Sequence, residues 1–152
     1  MAFLQSLSMV GTLAVLLAAL EPSARPTVAP VQIDVVATDY AFGPLPAHIA
    51  AGPTVFTFAN HGSVQHEMSI ARLKAGATPE GLVKVVRDGG PRRDIIERWV
   101  GLLISGPGKS PDGRLLVDLL PATTYVILCN LKDSPDAPGH LTLGMYKSFR
   151  TE

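Results

Sequence analysis

Cys129-Asn-Leu-Lys-Asp-Ser-Pro-Asp-Ala-Pro-Gly-His140-Leu-Thr-Leu-Gly-Met145 is the stretch on which the fold of this chain turns. It is entered through Thr123-Thr-Tyr-Val-Ile-Leu-Cys129, a run of β-branched and aromatic residues, and left through Met145-Tyr-Lys-Ser-Phe-Arg, where apolar and polar residues alternate. Both flanks carry strand signals. The Pro- and Gly-containing segment between them reads as a loop joining two strands. That loop begins on a thiol and carries an imidazole and a thioether.

Outward from this loop the same grammar repeats. Val31-Gln-Ile-Asp-Val-Val-Ala-Thr alternates as a half-buried strand does, and Thr54-Val-Phe-Thr-Phe-Ala is bounded by the turns Ala51-Gly-Pro and Asn60-His-Gly. Glu67-Met-Ser-Ile-Ala, Val100-Gly-Leu-Leu-Ile and Arg114-Leu-Leu-Val-Asp-Leu supply further short strands. The 13 Pro and 14 Gly give the many turns such a chain needs. The expectation is an all-β Greek-key β-sandwich.

One segment departs from this pattern. Thr78-Pro-Glu-Gly-Leu-Val-Lys-Val-Val-Arg-Asp-Gly-Gly has an N-cap Thr, a Pro at the first helical position and a Gly stop. It predicts a short helical insertion around 78–98, with Asp94 to Trp99 continuing as a second short helix and Trp99 serving as a packing residue.

Composition narrows the function. The 152 residues make one domain with room for a core, and 47% apolar content argues against disorder. The formal net charge is zero and no long basic run occurs, so nucleic acid is excluded as an expected partner. Residues 1–30 read as a signal peptide or N-terminal anchor plus linker. Leu13-Ala-Val-Leu-Leu-Ala-Ala-Leu20 is too short to span a bilayer, and Glu21-Pro-Ser-Ala-Arg-Pro breaks it. Residues 31–152 are then an exported domain, periplasmic or extracellular, with membrane association expected only through the N-terminal segment.

The single Cys excludes an internal disulfide, and an unpaired thiol in an exported chain needs protection by burial or by a metal. His140 and Met145 follow Cys129 at short range, and His66 lies upstream in Asn60-His-Gly-Ser-Val-Gln-His66-Glu. Two imidazoles, a thiolate and a weak thioether are the ligand set of a mononuclear electron-transfer copper centre. The candidate metal residues are therefore His66, Cys129, His140 and Met145. His48 is expected on a strand surface, His61 in an exposed turn and Met68 in the core. Asn60 is expected to stabilise its own turn. Glu67 is expected to face solvent, and a backbone N–H near Asn60 or Glu67 to reach the Cys129 sulfur.

Taken in order, Asp39-Tyr-Ala-Phe, Ala51-Gly-Pro, Phe58-Ala-Asn-His-Gly before His66-Glu, Leu119-Leu-Pro before Tyr125-Val-Ile-Leu-Cys129, and Gly139-His140 ahead of Gly144-Met145 resemble the cupredoxins, specifically small bacterial cupredoxin-domain proteins. The resemblance runs from about Val31 to Thr151. It implies one type 1 copper with His66, Cys129 and His140 equatorial and Met145 axial, and a one-electron carrier rather than an enzyme. It further implies redox protein partners and an electron portal at the edge of His140 between Leu141 and Leu143. The chain departs from the usual pattern in its long Cys129–His140 span, in Asn130 after the Cys, in Gly139 before the His, and in Ala122 after Pro121 where Gly is usual.

Other classes remain open at this level. A periplasmic copper-binding or copper-delivery protein uses the same ligands, and a metal-free β-sandwich interaction module uses none. A Cys/His nucleophile pair from Cys129 with His66 or His140 is conceivable, but Met145 and the Pro-rich loop add nothing to it. A binuclear copper centre needs a second Cys. Zinc in a His₂Cys set leaves the Met without purpose.

Overall fold

The computed structural model describes residues 29–152, and the N-terminal leader inferred above lies almost wholly outside them. Among the described residues the chain forms β1 (Val31–Thr38), β2 (Ala41–Phe42), β3 (His48–Ile49), β4 (Gly52–Asn60) and β5 (His66–Leu73), then α1 (Pro79–Arg87), then β6 (Ile96–Ser105), β7 (Leu115–Leu119), β8 (Thr124–Leu128) and β9 (Tyr146–Thr151). The strands build two sheets, ordered β2-β1-β4-β7 and β3-β9-β8-β5-β6. β1 and β4 run parallel, as do β3 and β9, and every other pairing is antiparallel. The expected all-β sandwich is what forms.

The alternation of β1 and β4 sends Ile33, Val35, Phe56 and Phe58 inward, where they meet Met68, Ile70, Tyr125, Ile127 and Phe149 of the second sheet. The Tyr125 and Phe149 rings stack with centroids 5.3 Å apart, and Phe56 lies tilted against Phe149 at 6.0 Å. At about 25 cal/mol per Å² of apolar surface removed from water, such burial is the main force joining the sheets.

The second sheet is covered on its outer face as well. α1 lays Leu82 and Val83 on Ala71, Leu73, Val126, Leu128 and Leu141. This explains why Tyr125-Val-Ile-Leu128 is continuously apolar: a strand buried on both faces has no polar side. The helix starts as its sequence signals, with the Gly81 N–H donating to the Thr78 hydroxyl at 3.0 Å and Pro79 in the first turn.

The helical insertion is shorter than expected. Arg92–Asp94 makes a single 3-10 turn, and Ile96 begins strand β6. The expected second helix over Asp94 to Trp99 does not exist, because Ile96, Arg98 and Trp99 pair with Leu73, Arg72 and Ala71 of β5. Register shifts at Ile70/Ala71 and Arg72/Leu73 break the alternation that would mark this strand. Trp99 is 46% exposed and does not pack into the core.

Candidate metal centre

The antiparallel β5–β8 pair places Ser69 opposite Leu128, so His66 at the head of β5 and Cys129 just past β8 meet at one end of the sandwich. The loop after Cys129 folds back on itself. The His140 N–H donates to the Leu131 carbonyl at 2.9 Å, the Met145 N–H to the His140 carbonyl at 3.0 Å, and the Cys129 N–H to the Met145 carbonyl at 3.2 Å. Gly144 has φ +105, a left-handed conformation that suits Gly, and it ends the 3-10 turn His140–Leu143. These bonds bring His140 back to Cys129 and leave Met145 fully buried in the same core cluster as Cys129.

The donor atoms of His66, Cys129 and His140 all lie within 4.8 Å of one another, and all three residues are fully buried. His140 Nδ1 is 3.3 Å from both Cys129 Sγ and His66 Nδ1. The opposite nitrogens face carboxylates: His140 Nε2 lies 3.0 Å from Asp133 Oδ1, and His66 Nε2 lies 3.6 Å from Asp39 Oδ1. A neutral imidazole has one N–H. With its N–H on Nε2 toward Asp133, His140 leaves its Nδ1 lone pair facing Cys129 Sγ and His66 Nδ1, while the buried His66 Nε2 has no hydrogen-bond partner. Two ring nitrogens and one sulfur thus converge, with the Glu67 N–H also reaching the sulfur at 3.4 Å. This is an arrangement that a soft cation satisfies, and the residues present fit a copper ion.

Electrostatics agree with that geometry. Burial, and then the nearby His140, holds the His66 pKa below its usual value, so the ring is kept neutral as a ligand must be. Burial raises the Cys129 thiol, opposed by N–H groups from Glu67 and Leu131. The Glu67 N–H lies 3.4 Å from the sulfur, as anticipated for this position, whereas the Asn60 N–H goes to the Lys109 carbonyl. Asn60 does stabilise its turn: its Oδ1 accepts from Gly62 N–H at 2.8 Å, and its Nδ2 donates to the carbonyls of Val64 and Ser105.

Several expectations about the surroundings are overturned. Glu67 does not face solvent. It is 7% exposed, and its Oε1 accepts from the backbone and side-chain amides of Asn130 and from the Ser69 hydroxyl. Leu141 is buried beneath α1, leaving Leu143 alone exposed of the two apolar neighbours. The edge of His140 is not open: Asp133 caps its Nε2 and the Tyr40 ring packs on it edge-to-face, 5.0 Å away. His48 and His61 are exposed and outside the cluster, and Met68 is in the core.

Asp39, Tyr40, Gly62 and Asp133 are the site residues that sequence reasoning did not find. The Asp39 carboxylate accepts from the backbone N–H and hydroxyl of Ser63, which holds it low in pKa and fixes it beside His66. Tyr40 donates its hydroxyl to Asp133, whose pKa falls for that reason first. Gly62 makes room for Asp39, because a Cβ there would sit 2.4 Å from the Asp39 carboxylate and 3.0 Å from His66 Nε2.

No family model matches this chain, and no curated protein matches it. Solved structures do. A dithionite-reduced auracyanin from Roseiflexus castenholzii aligns at a TM-score of 0.55 with 20% identity, covering 82% of this chain and 99% of that one. Auracyanin B aligns at 0.51 with 20% identity over 83% of this chain and 92% of that one. Auracyanin A from Chloroflexus aurantiacus, described as a "blue" copper protein, aligns at 0.51 with 19% identity over 82% and 100%. The two-sheet sandwich seen here is thus the cupredoxin fold.

Proposed function

We propose that this chain is an exported one-electron carrier that would hold a single type 1 copper on His66, Cys129 and His140, with Met145 as a fourth, weaker ligand. The observation that carries the reading is the convergence of two imidazole nitrogens and one thiol sulfur in a fully buried pocket, from three separate parts of the fold. Copper held by these atoms would cycle between its two common oxidation states. The shared fold with auracyanin A, a "blue" copper protein, points the same way.

The chain's own part is to hold the donors still. Asn130 is tied to Glu67, Leu131 to His140, and Met145 to both His140 and Cys129. Ligands fixed in this way move little when charge changes, and this favours carrying electrons over handing on the metal. Burial of all three donors supports the same choice, since a delivery protein must offer its ligands to a receiver. Export rests on the apolar run Leu13–Leu20 broken by Glu21-Pro-Ser-Ala-Arg-Pro, and among the described residues no helix is long and apolar enough to cross a membrane. The partners on this reading are redox proteins.

The test is reconstitution of the purified chain with Cu(II). An intense visible thiolate-to-copper absorption, lost in Cys129→Ser and reversibly bleached by one electron, is the expected result. A colourless protein that takes only Cu(I) would favour delivery, and no stoichiometric copper would overturn both.

A further inference from the structure

We propose that electrons enter and leave this site through Tyr40, and that the face Tyr40 shares with Asp39 and Asp133 receives a cationic group of the redox partner. The inference rests on the electron-carrier reading.

Neither imidazole reaches the surface. His140 and His66 are both 0% exposed. What lies over them is the β1–β2 turn. The Tyr40 ring meets His140 edge-to-face at 5.0 Å and His66 at 6.3 Å, and it is only half-buried, so one ring joins both ligands to solvent. Its hydroxyl donates to Asp133 Oδ2 at 2.5 Å, while Asp133 Oδ1 faces His140 Nε2 at 3.0 Å. A packed and hydrogen-bonded path therefore runs from His140 to the outer edge of Tyr40. Of the two apolar residues that follow His140, Leu141 leads inward, sealed under α1, while Leu143 is exposed three residues further along the chain.

Tyr40 also occupies a costly backbone conformation. Its φ is +60, where a side chain is disfavoured by about 1–2 kcal/mol and Gly is the default. Strain of this kind persists where the surrounding structure holds it and clusters at functional sites. The turn keeps a bulky aromatic ring on the ligands where Gly would relieve the backbone.

The charge on this face comes from carboxylates. Asp39 and Asp133 keep 43% and 36% of their side-chain surface, and each sits against one ligand ring. Asp136 adds a third exposed carboxylate in the same loop as Asp133, and the exposed Lys132 precedes Asp133 with its ammonium on the Pro135 carbonyl. Directly over the rings the ionised groups are both acidic. Oriented charges of one sign steer an opposite charge and raise its rate of encounter. In the exchange itself one electron leaves the reduced partner and arrives at the oxidised centre, and no bond forms or breaks.

The copper-loaded full chain, in its oxidised state, is mixed by stopped flow with hexaammineruthenium(II), a cationic one-electron donor, and separately with ferrocyanide, an anionic one. Tyr40→Leu is expected to slow reduction several-fold by both donors with the visible spectrum kept. An unchanged or faster rate, meaning that the ring was only a cover, overturns the route. Tyr40→Phe keeps the ring and is expected to keep most of the rate. The double variant Asp39→Asn/Asp133→Asn should lower the hexaammineruthenium rate by about tenfold and raise the ferrocyanide rate. Equal effects on both donors overturn the cationic partner. A copper-independent readout separates this from the carrier reading: paramagnetic hexaamminechromium(III), added to the copper-free chain, should broaden the amide signals of Asp39, Tyr40 and Asp133. Broadening confined to other surfaces overturns the docking face even where copper binds, and a chain that takes no copper overturns the carrier reading whatever the broadening shows.

Discussion

Glu67 Oε1 lies 2.9 Å from the backbone nitrogen of Asn130 and 2.8 Å from its side-chain Nδ2. The residue after one candidate ligand thus grips the residue after another. The same Glu67 offers its own N–H to the Cys129 sulfur at 3.4 Å, so one residue fixes both the sulfur and the start of the loop that returns His140. Hydrogen bonds to a charged acceptor contribute about 1.5–3 kcal/mol each when buried. Glu67→Ala is expected to destabilise the copper-free chain by about 2–3 kcal/mol in denaturant unfolding and to speed hydrogen exchange at the Asn130 amide. Glu67→Gln keeps an acceptor but removes a negative charge near the sulfur, and the reduction potential of the loaded protein should rise. A potential at or below that of the unaltered protein would show that the carboxylate is not felt at the metal.

Gly62 is held to Gly by contact rather than by its own backbone angle. A Cβ at this position meets the Asp39 carboxylate at 2.4 Å and the Asp39 backbone nitrogen at 3.1 Å. Gly62→Ala must push Asp39 off His66. Displacing a partner of a metal-bound imidazole typically lowers affinity by about 10–100-fold. Competition with a copper chelator measures this, and an unchanged affinity would mean that Asp39 does not orient His66.

What local pattern revealed, and what it did not, has a physical basis. Cys129, His140 and Met145 were legible because one short loop carries them between two clear strands. His66 was legible from the turn before it. Glu67 was misread because it shares a β5 face with Ser69, outside the sheet–sheet core, and such a face is normally wet. Here the Asn130 amides and the Ser69 hydroxyl gather on the Glu67 carboxylate, and strand periodicity cannot announce a partner 63 positions away. The Tyr40–Asp133 pair spans 93 positions and has no local signature at all. The start of β6 was hidden by its bulges, so Ile96 to Trp99 read as helix.

Ala122, noted from the sequence as standing where Gly is usual, has φ +52 in the turn between β7 and β8. The left-handed region disfavours a side chain by about 1–2 kcal/mol, and Gly returns about 0.5–1 kcal/mol of this as lost chain entropy. Ala122→Gly should therefore stabilise the protein by about 0.5–1 kcal/mol. Thermal unfolding of the copper-free chain is the check, and a loss of stability would mean that the Ala methyl makes contacts worth more than the strain.

Tyr125 links that same turn to the core. Its ring stacks on Phe149, and its hydroxyl accepts the Leu120 N–H at 3.0 Å, closing the β7–β8 corner. Tyr125→Phe keeps the stack and removes the acceptor, so the expected loss is about 1 kcal/mol, the net worth of one such bond. Cys129 is four residues further along, about 13 Å at the rise of an extended strand. The visible spectrum of the loaded protein should therefore be unchanged in this variant while its unfolding midpoint falls. A shifted spectrum would show that the corner, and not only the loop bonds around Cys129, sets the geometry of the metal centre.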